Sequence, residues 1–123
     1  MKQIEKIIDG FEAIGSRVYL VTLPGLFSTK EKPSLKALKI GHLPTFTENP
    51  YVLATITEKF NQTLRALSLQ RNLGLIDLEK WGMINLHPKD QYFTDSVHLN
   101  AKGLEKIGAF LADKLKPIIR SHY

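Results

Sequence analysis

An aspartate and a histidine three residues apart, Asp95 and His98, stand in the segment Tyr92-Phe93-Thr94-Asp95-Ser96-Val97-His98-Leu99-Asn100, immediately before an amphipathic C-terminal stretch. A carboxylate beside an imidazole has a recognisable chemistry. The acid holds the ring in one tautomer, and the far ring nitrogen is left to take a proton from a nucleophile. At this spacing one tight turn brings both side chains together without help from the rest of the fold. The same residues also suit a structural part, with Asn100 capping the helix and Asp95 or Ser96 closing a local turn.

A nucleophile for this pair is harder to find among the six serines. Ser16 precedes a strand, Ser34 and Ser68 read as loop and helix-surface residues, and Ser121 as tail. Ser96 lies between the acid and the base. Ser28 alone falls beyond the carboxyl end of a strand, where open α/β sheets build their sites. It is the candidate substitute nucleophile, although Leu26-Phe27-Ser28-Thr29-Lys30 carries no nucleophile-elbow pattern. Trp81, Tyr92 and Phe93 are candidates to line an acyl or sugar pocket, while aromatics in such places also serve simply as packing. The chain has no cysteine, which removes disulfides and thiolate metal sites. His42, His87, His98 and His122 lack ligand spacing, so neither metal nor cofactor is expected.

The elements that must position these residues follow from periodicity. Ile4, Ile7, Ile8, Phe11 and Ile14 recur at helical spacing, which predicts a helix over 2–14 ending at Gly15. Arg17–Leu23 is almost continuously apolar and β-branched or aromatic, the pattern of a strand buried on both faces, and Pro24-Gly25 stops it. Residues 25–50, broken by Gly41, Pro33, Pro44 and Pro50, predict an irregular excursion with at most a short helix. A long helix over 51–71 carries the stripe Val52, Ile56, Phe60, Leu64 and Leu67. Leu73–Leu78 is a second strand. The long helical connection between the strands makes them a parallel pair, with the right-handed crossover such units adopt. Residues 79–99 then form a long loop, and 101–119 a final helix with Leu104, Ile107, Leu111, Leu115 and Ile118 inward. The order is αβαβα, an α/β class with parallel strands, in one unit spanning residues 1–123.

These segments together resemble the closing part of the SGNH (GDSL-type) esterase/lipase superfamily. Asp95-Ser96-Val97-His98-Leu99-Asn100-x-x-Gly103 is similar to its D-x-x-H motif with the following Leu and helix. Arg17–Pro24 resembles its penultimate core strand, Phe60-Asn61-Gln62-Thr63-Leu64 the helix that follows, and Leu73–Leu78 its last strand. The resemblance implies a flavodoxin-like three-layer fold, of which the chain supplies the C-terminal αβαβα portion. It also implies ester hydrolysis, with Asp95 as orienting acid and His98 as general base. The departures are equally definite. No G-D-S segment occurs, and neither the oxyanion-hole glycine nor the G-x-N-D asparagine has a match. The expectation is an enzyme part that acts on an ester substrate and is inactive alone, with its nucleophile and oxyanion donors upstream of Met1.

The strand count points the same way. Two strands that read as buried on both faces would each present an apolar edge if the chain stood alone. A missing N-terminal half, or self-association across the open edge, would cover them. Two other classes fit the composition: a non-catalytic SGNH-like relative, and an unrelated small basic α/β binding module. The net charge is +5, with lysines at Lys30, Lys32, Lys36 and Lys39 and again at Lys102, Lys106, Lys114 and Lys116. The first cluster lacks the interleaved aromatics of a nucleic-acid surface, and the second alternates with core positions as a solvated face does. No apolar run reaches the ~18 residues of a membrane span. Glu5, Asp9 and Glu12 interrupt the N-terminal helix too regularly for a secretory signal, and nothing marks a compartment.

Overall fold

The computed structural model of the chain describes residues 1–122. Helix α1 (Lys2–Ala13) leads into strand β1 (Tyr19–Val21). The short helix α2 (Leu35–Ile40) interrupts the excursion that follows, and α3 (Pro50–Gln70) crosses over to β2 (Gly74–Ile76). Helix α4 (Leu78–Asn85), a 3-10 turn over Lys89–Gln91 and the long α5 (Ala101–His122) complete the order. The two strands are adjacent and parallel, with Tyr19 opposite Gly74, Leu20 opposite Leu75 and Val21 opposite Ile76. The α/β class and the parallel crossover are therefore as the periodicity predicts.

Local chemistry explains where the helices stop. At the end of α1, Gly15 adopts φ 84°, and the amides of Gly15 and Ser16 bond back to the Glu12 and Phe11 carbonyls. That double closure is the Schellman arrangement, which needs a residue tolerant of the left-handed conformation. Asn72 does the same after α3 at φ 53°, with Leu73 donating to the Ser68 carbonyl. Asn49 caps the start of α3 ahead of Pro50 at the first helical position, the favoured order at a helix N-terminus.

Two apolar clusters hold the elements. Ile8 of α1, Leu20 of β1 and Leu64 and Leu67 of α3 form one. The other gathers Leu26, Phe27, Ala37, Ala54, Ile76, Leu78, Leu86, Phe93 and Ile107, so α2, α3, β2, α4 and α5 all contribute. The predicted stripes are only partly inside. Ile7 and Phe11 of α1 and Ile14 just past its end are exposed, and in α3 so are Ile56 and Phe60, while Ala54, Asn61, Leu64, Leu67 and Ser68 carry the buried face. A sheet of two three-residue strands is too narrow to cover the apolar face of each flanking helix.

The expected loop over 79–99 needs correction. Leu78 belongs to α4 rather than to the strand, and α4 fills the first third of that loop. Asp77 starts it by accepting the Lys80 amide at 3.2 Å, and Thr22 Oγ1 of the β1 terminus accepts the Glu79 amide at 3.0 Å. The capping aspartate is visible in the sequence. The helix itself is about two turns long, too short for a periodic pattern to accumulate.

Candidate active site

The Asp95–His98 turn is built by its own backbone. Phe93 and Leu99 form an antiparallel bridge, and the Thr94 amide donates to the His98 carbonyl at 2.8 Å. Within this closed turn Asp95 Oδ1 accepts the amides of Val97 and His98 at 2.9 and 2.7 Å. Its Oδ2 is left to meet His98 Nδ1 at 2.8 Å, with Oδ1 at 3.0 Å from the same nitrogen. One carboxylate thus both closes the turn and contacts the ring. In the neutral ring, Nδ1–H donating to the carboxylate leaves Nε2 as the acceptor. The His98 side chain is 74% exposed, so that nitrogen is open to whatever is brought against it.

The turn is fastened at both ends. Ser96 is buried, its hydroxyl donating to the His42 carbonyl at 2.6 Å and accepting the His42 amide at 2.7 Å. Its carbonyl takes the Leu26 amide at 3.1 Å, which ties the turn to the loop after β1. Ser96 is therefore a fastener. On the other side Asn100 caps α5 by accepting the Gly103 amide at 3.0 Å, and its own amide reaches the Gln91 carbonyl at 2.7 Å. Gly103 lets the first turn of α5 press against Tyr92. A Cβ there would lie 2.5 Å from the Tyr92 carbonyl oxygen and 2.8 Å from Leu99 Cδ2. Gly103→Ala is expected to destabilise the chain by about 1–3 kcal/mol, as overpacking does. In chemical-denaturant unfolding that appears as a lower midpoint at unchanged slope.

Electrostatics follow from the hydrogen bonds. The amides of Val97 and His98, and then the His98 ring, hold the Asp95 carboxyl down at about 2. Asp77 is held at about 2 as well, chiefly by its bonds from Arg65 Nε at 2.7 Å and Nη2 at 2.8 Å. A carboxyl whose folded value is depressed stabilises the fold above its ordinary value, and that contribution is lost as pH falls through the folded value. Stability should therefore decline between about pH 4 and pH 2. Asp77→Asn should flatten that part of the curve, as measured by urea midpoints at stepped pH.

Other predicted site residues lie elsewhere. Ser28 is half-buried, and its hydroxyl accepts the Lys30 amide at 3.1 Å. It lines two clefts, neither of which includes Asp95 or His98, so the structure does not bring it to the pair. Phe93 is a core residue at 3% exposure, which corrects its expected place in a pocket wall. Trp81 stacks on Phe110 of α5 with centroids 4.7 Å apart, in a groove that also excludes the pair. Tyr92 packs on the core under the Lys106 ammonium, 4.9 Å from the ring centroid. Of these aromatics, Phe93 and Tyr92 tie the base of the turn to Leu99 and Asn100 through their backbones.

A polar network at the carboxyl ends of both strands went unread in the sequence. Asn61 of α3, fully buried, accepts the Leu23 amide and donates to the Leu23 carbonyl, both at 2.8 Å, and also donates to Glu79 Oε2 at 2.7 Å. Arg65 bridges Asp77 and Glu79, and these carboxylates raise its pKa. Thr22, also fully buried, donates to Asp77 Oδ1 at 2.6 Å. The signal available was Asn61 on the same helical face as Leu64 and Ser68.

Among the described residues no cluster of three or more His, Asp or Glu side chains is placed to hold a metal, and no helix is long and apolar enough to cross a membrane. Comparison with protein-family models, with curated proteins and with solved structures gave no match.

Proposed function

We propose that the chain supplies the acid–base half of a serine ester hydrolase of the SGNH type. The observation that carries this reading is the Asp95 Oδ2 to His98 Nδ1 contact of 2.8 Å, with the rest of an exposed imidazole turned to solvent. Asp95 keeps the ring in the tautomer whose Nε2 accepts a proton, and His98 is the general base. The attacking hydroxyl and the donors that stabilise the tetrahedral oxyanion come from a further polypeptide segment of the G-D-S kind. Such donors are usually the largest catalytic contribution, and no side chain of the Asp95–His98 turn replaces them.

The packing supports the same reading. Among the described residues each strand has one unpaired edge, and Ile7, Phe11, Ile56 and Phe60 leave apolar surface on the two helices that flank the sheet, with Ile14 just past the end of α1. Further strands in a flavodoxin-like three-layer arrangement would extend the sheet and give these residues something to cover. The substrate is an ester.

The test is reconstitution. The 123-residue chain alone should hydrolyse p-nitrophenyl acetate no faster than buffer. Joined to a segment carrying G-D-S, the oxyanion glycine and the asparagine, it should turn over. If the chain alone turns over and loses that activity on Ser28→Ala, the nucleophile is Ser28 and the proposed division of labour is wrong.

A further inference from the structure

Lys89 is the one lysine that the fold buries among the described residues. It is 8% exposed, and among the described residues its ammonium has a single hydrogen-bond acceptor, the Gly25 carbonyl at 2.8 Å. Its other neighbour is the face of Phe93, 5.6 Å from Nζ to the centroid. An ammonium carries three donors, so two are left without a protein acceptor. Burying a charge with so little compensation is costly, and here burial pushes its pKa down. The carboxylates that act on it, Glu31 and Glu79, do so through space and are committed elsewhere. Glu31 lies 3.5 Å from His87 Nε2, and Glu79 pairs with Arg65 at 2.7 Å.

Lys89 also lines a cleft of about 410 Å³ at the carboxyl ends of the two strands, with Ser28 and Lys30 from the loop after β1, Gln62 from α3 and Lys80 from α4. This is the end of an open parallel sheet at which ligands bind. Its acidic lining residues are already engaged. Glu58 accepts the Thr29 amide and hydroxyl at 3.1 and 2.7 Å, and Asp77 and Glu79 hold Arg65. Among the described residues Lys30 and Lys80 of the same wall form no ion pair, which with Lys89 leaves the cleft an excess of cationic groups.

We propose that this cleft is a binding site for a small polar ligand carrying an oxyanion, with the Lys89 ammonium as the buried charge anchor. Lys30 and Lys80 supply the outer field, and Ser28 and Gln62 supply hydrogen bonds to the rest of the ligand. The site is separate from the Asp95–His98 turn and does not depend on the ester-hydrolase reading.

The whole chain is titrated with sodium phosphate and, separately, sodium acetate at ionic strength held constant with sodium chloride, following the Lys89 side-chain Cε resonance and the backbone amides by NMR. The expected result is a saturable shift of Lys89 Cε together with the amides of Phe27 and Ser28, and an upward move of the Lys89 titration midpoint in the presence of the probe. Saturation by phosphate alone identifies a phosphate-bearing ligand, saturation by acetate alone a carboxylate, and saturation by both an oxyanion site of broad selectivity. Lys89→Met keeps the stem and removes the charge. It should raise the apparent dissociation constant at least tenfold. Shifts confined to Lys30 and Lys80, no saturable shift of Lys89 with either probe, or unchanged affinity in Lys89→Met would overturn the proposal. If Lys89→Met does not fold, the wild-type Lys89 titration decides alone.

Discussion

Replacing His98 by alanine in the reconstituted hydrolase is expected to lower kcat/KM on the order of 10³-fold or more, with KM changed far less than kcat. The reason is geometric. The Asp95 carboxylate contacts one nitrogen of an exposed ring, and in the proposed hydrolase the other nitrogen would be the base that takes the proton of the attacking hydroxyl. General-base catalysis contributes about 10²–10⁴-fold, and triad members act as a unit, so removing one forfeits most of what the group supplies. Asp95→Asn should cost nearly as much, because an amide does not hold the same tautomer. It also weakens the turn, since Oδ1 accepts two backbone amides. A circular-dichroism melt therefore has to accompany the rate measurement. A loss below tenfold for His98→Ala in a folded protein would make the imidazole a surface residue of a structural turn and would remove the basis of the ester-hydrolase reading.

The largest stability effect is expected at a residue far from that turn. Asn61→Leu should destabilise the chain by roughly 2–4 kcal/mol, because it strands three partners of a fully buried amide. The Leu23 amide and carbonyl both lose their bond at the end of β1, and Glu79 Oε2 loses a donor beside Arg65. For a chain of this size the change amounts to a fall of roughly 10 °C in melting temperature. Gln would not rescue it, since the extra methylene moves the amide off the Leu23 backbone. A change below about 1 kcal/mol would mean that water replaces the lost bonds and that the pin is dispensable. The position also matters for the anion cleft, because Asn61 sets where Leu23 ends and the Gly25–Ser28 wall begins.

Much of this architecture could be read from the residues because its causes are local. Apolar spacing gave α1, α3 and α5 to within a few residues, and the continuous apolar runs gave both strands. Gly15 and Asn72 stop their helices through their own backbone conformations. The Asp95–His98 contact is equally local, since a carboxylate two and three residues ahead of the amides it accepts closes a turn without any tertiary help. Periodicity overreached where burial depends on what lies opposite. Ile7, Phe11, Ile56 and Phe60 fit the inward stripes and yet stand exposed, because a helix face is buried only as far as its partner extends.

Tertiary structure alone decided the rest. Ser28 and His98 both lie in loops beyond strands, and only the packing of the excursion puts Ser28 on clefts that do not include the pair. Phe93 and Trp81 have the composition of a pocket wall, but α5 arrives to cover them. Lys89 reads as an ordinary surface lysine in His87-Pro88-Lys89-Asp90. It becomes a buried charge only because the loop after β1 closes over it and offers the Gly25 carbonyl. The physical distinction is range. Turns, caps and amphipathic periods are set by neighbours along the chain, whereas burial, ion pairing and the shape of a cleft depend on segments far apart in sequence, such as Thr22 and Asp77, whose contact no local pattern encodes.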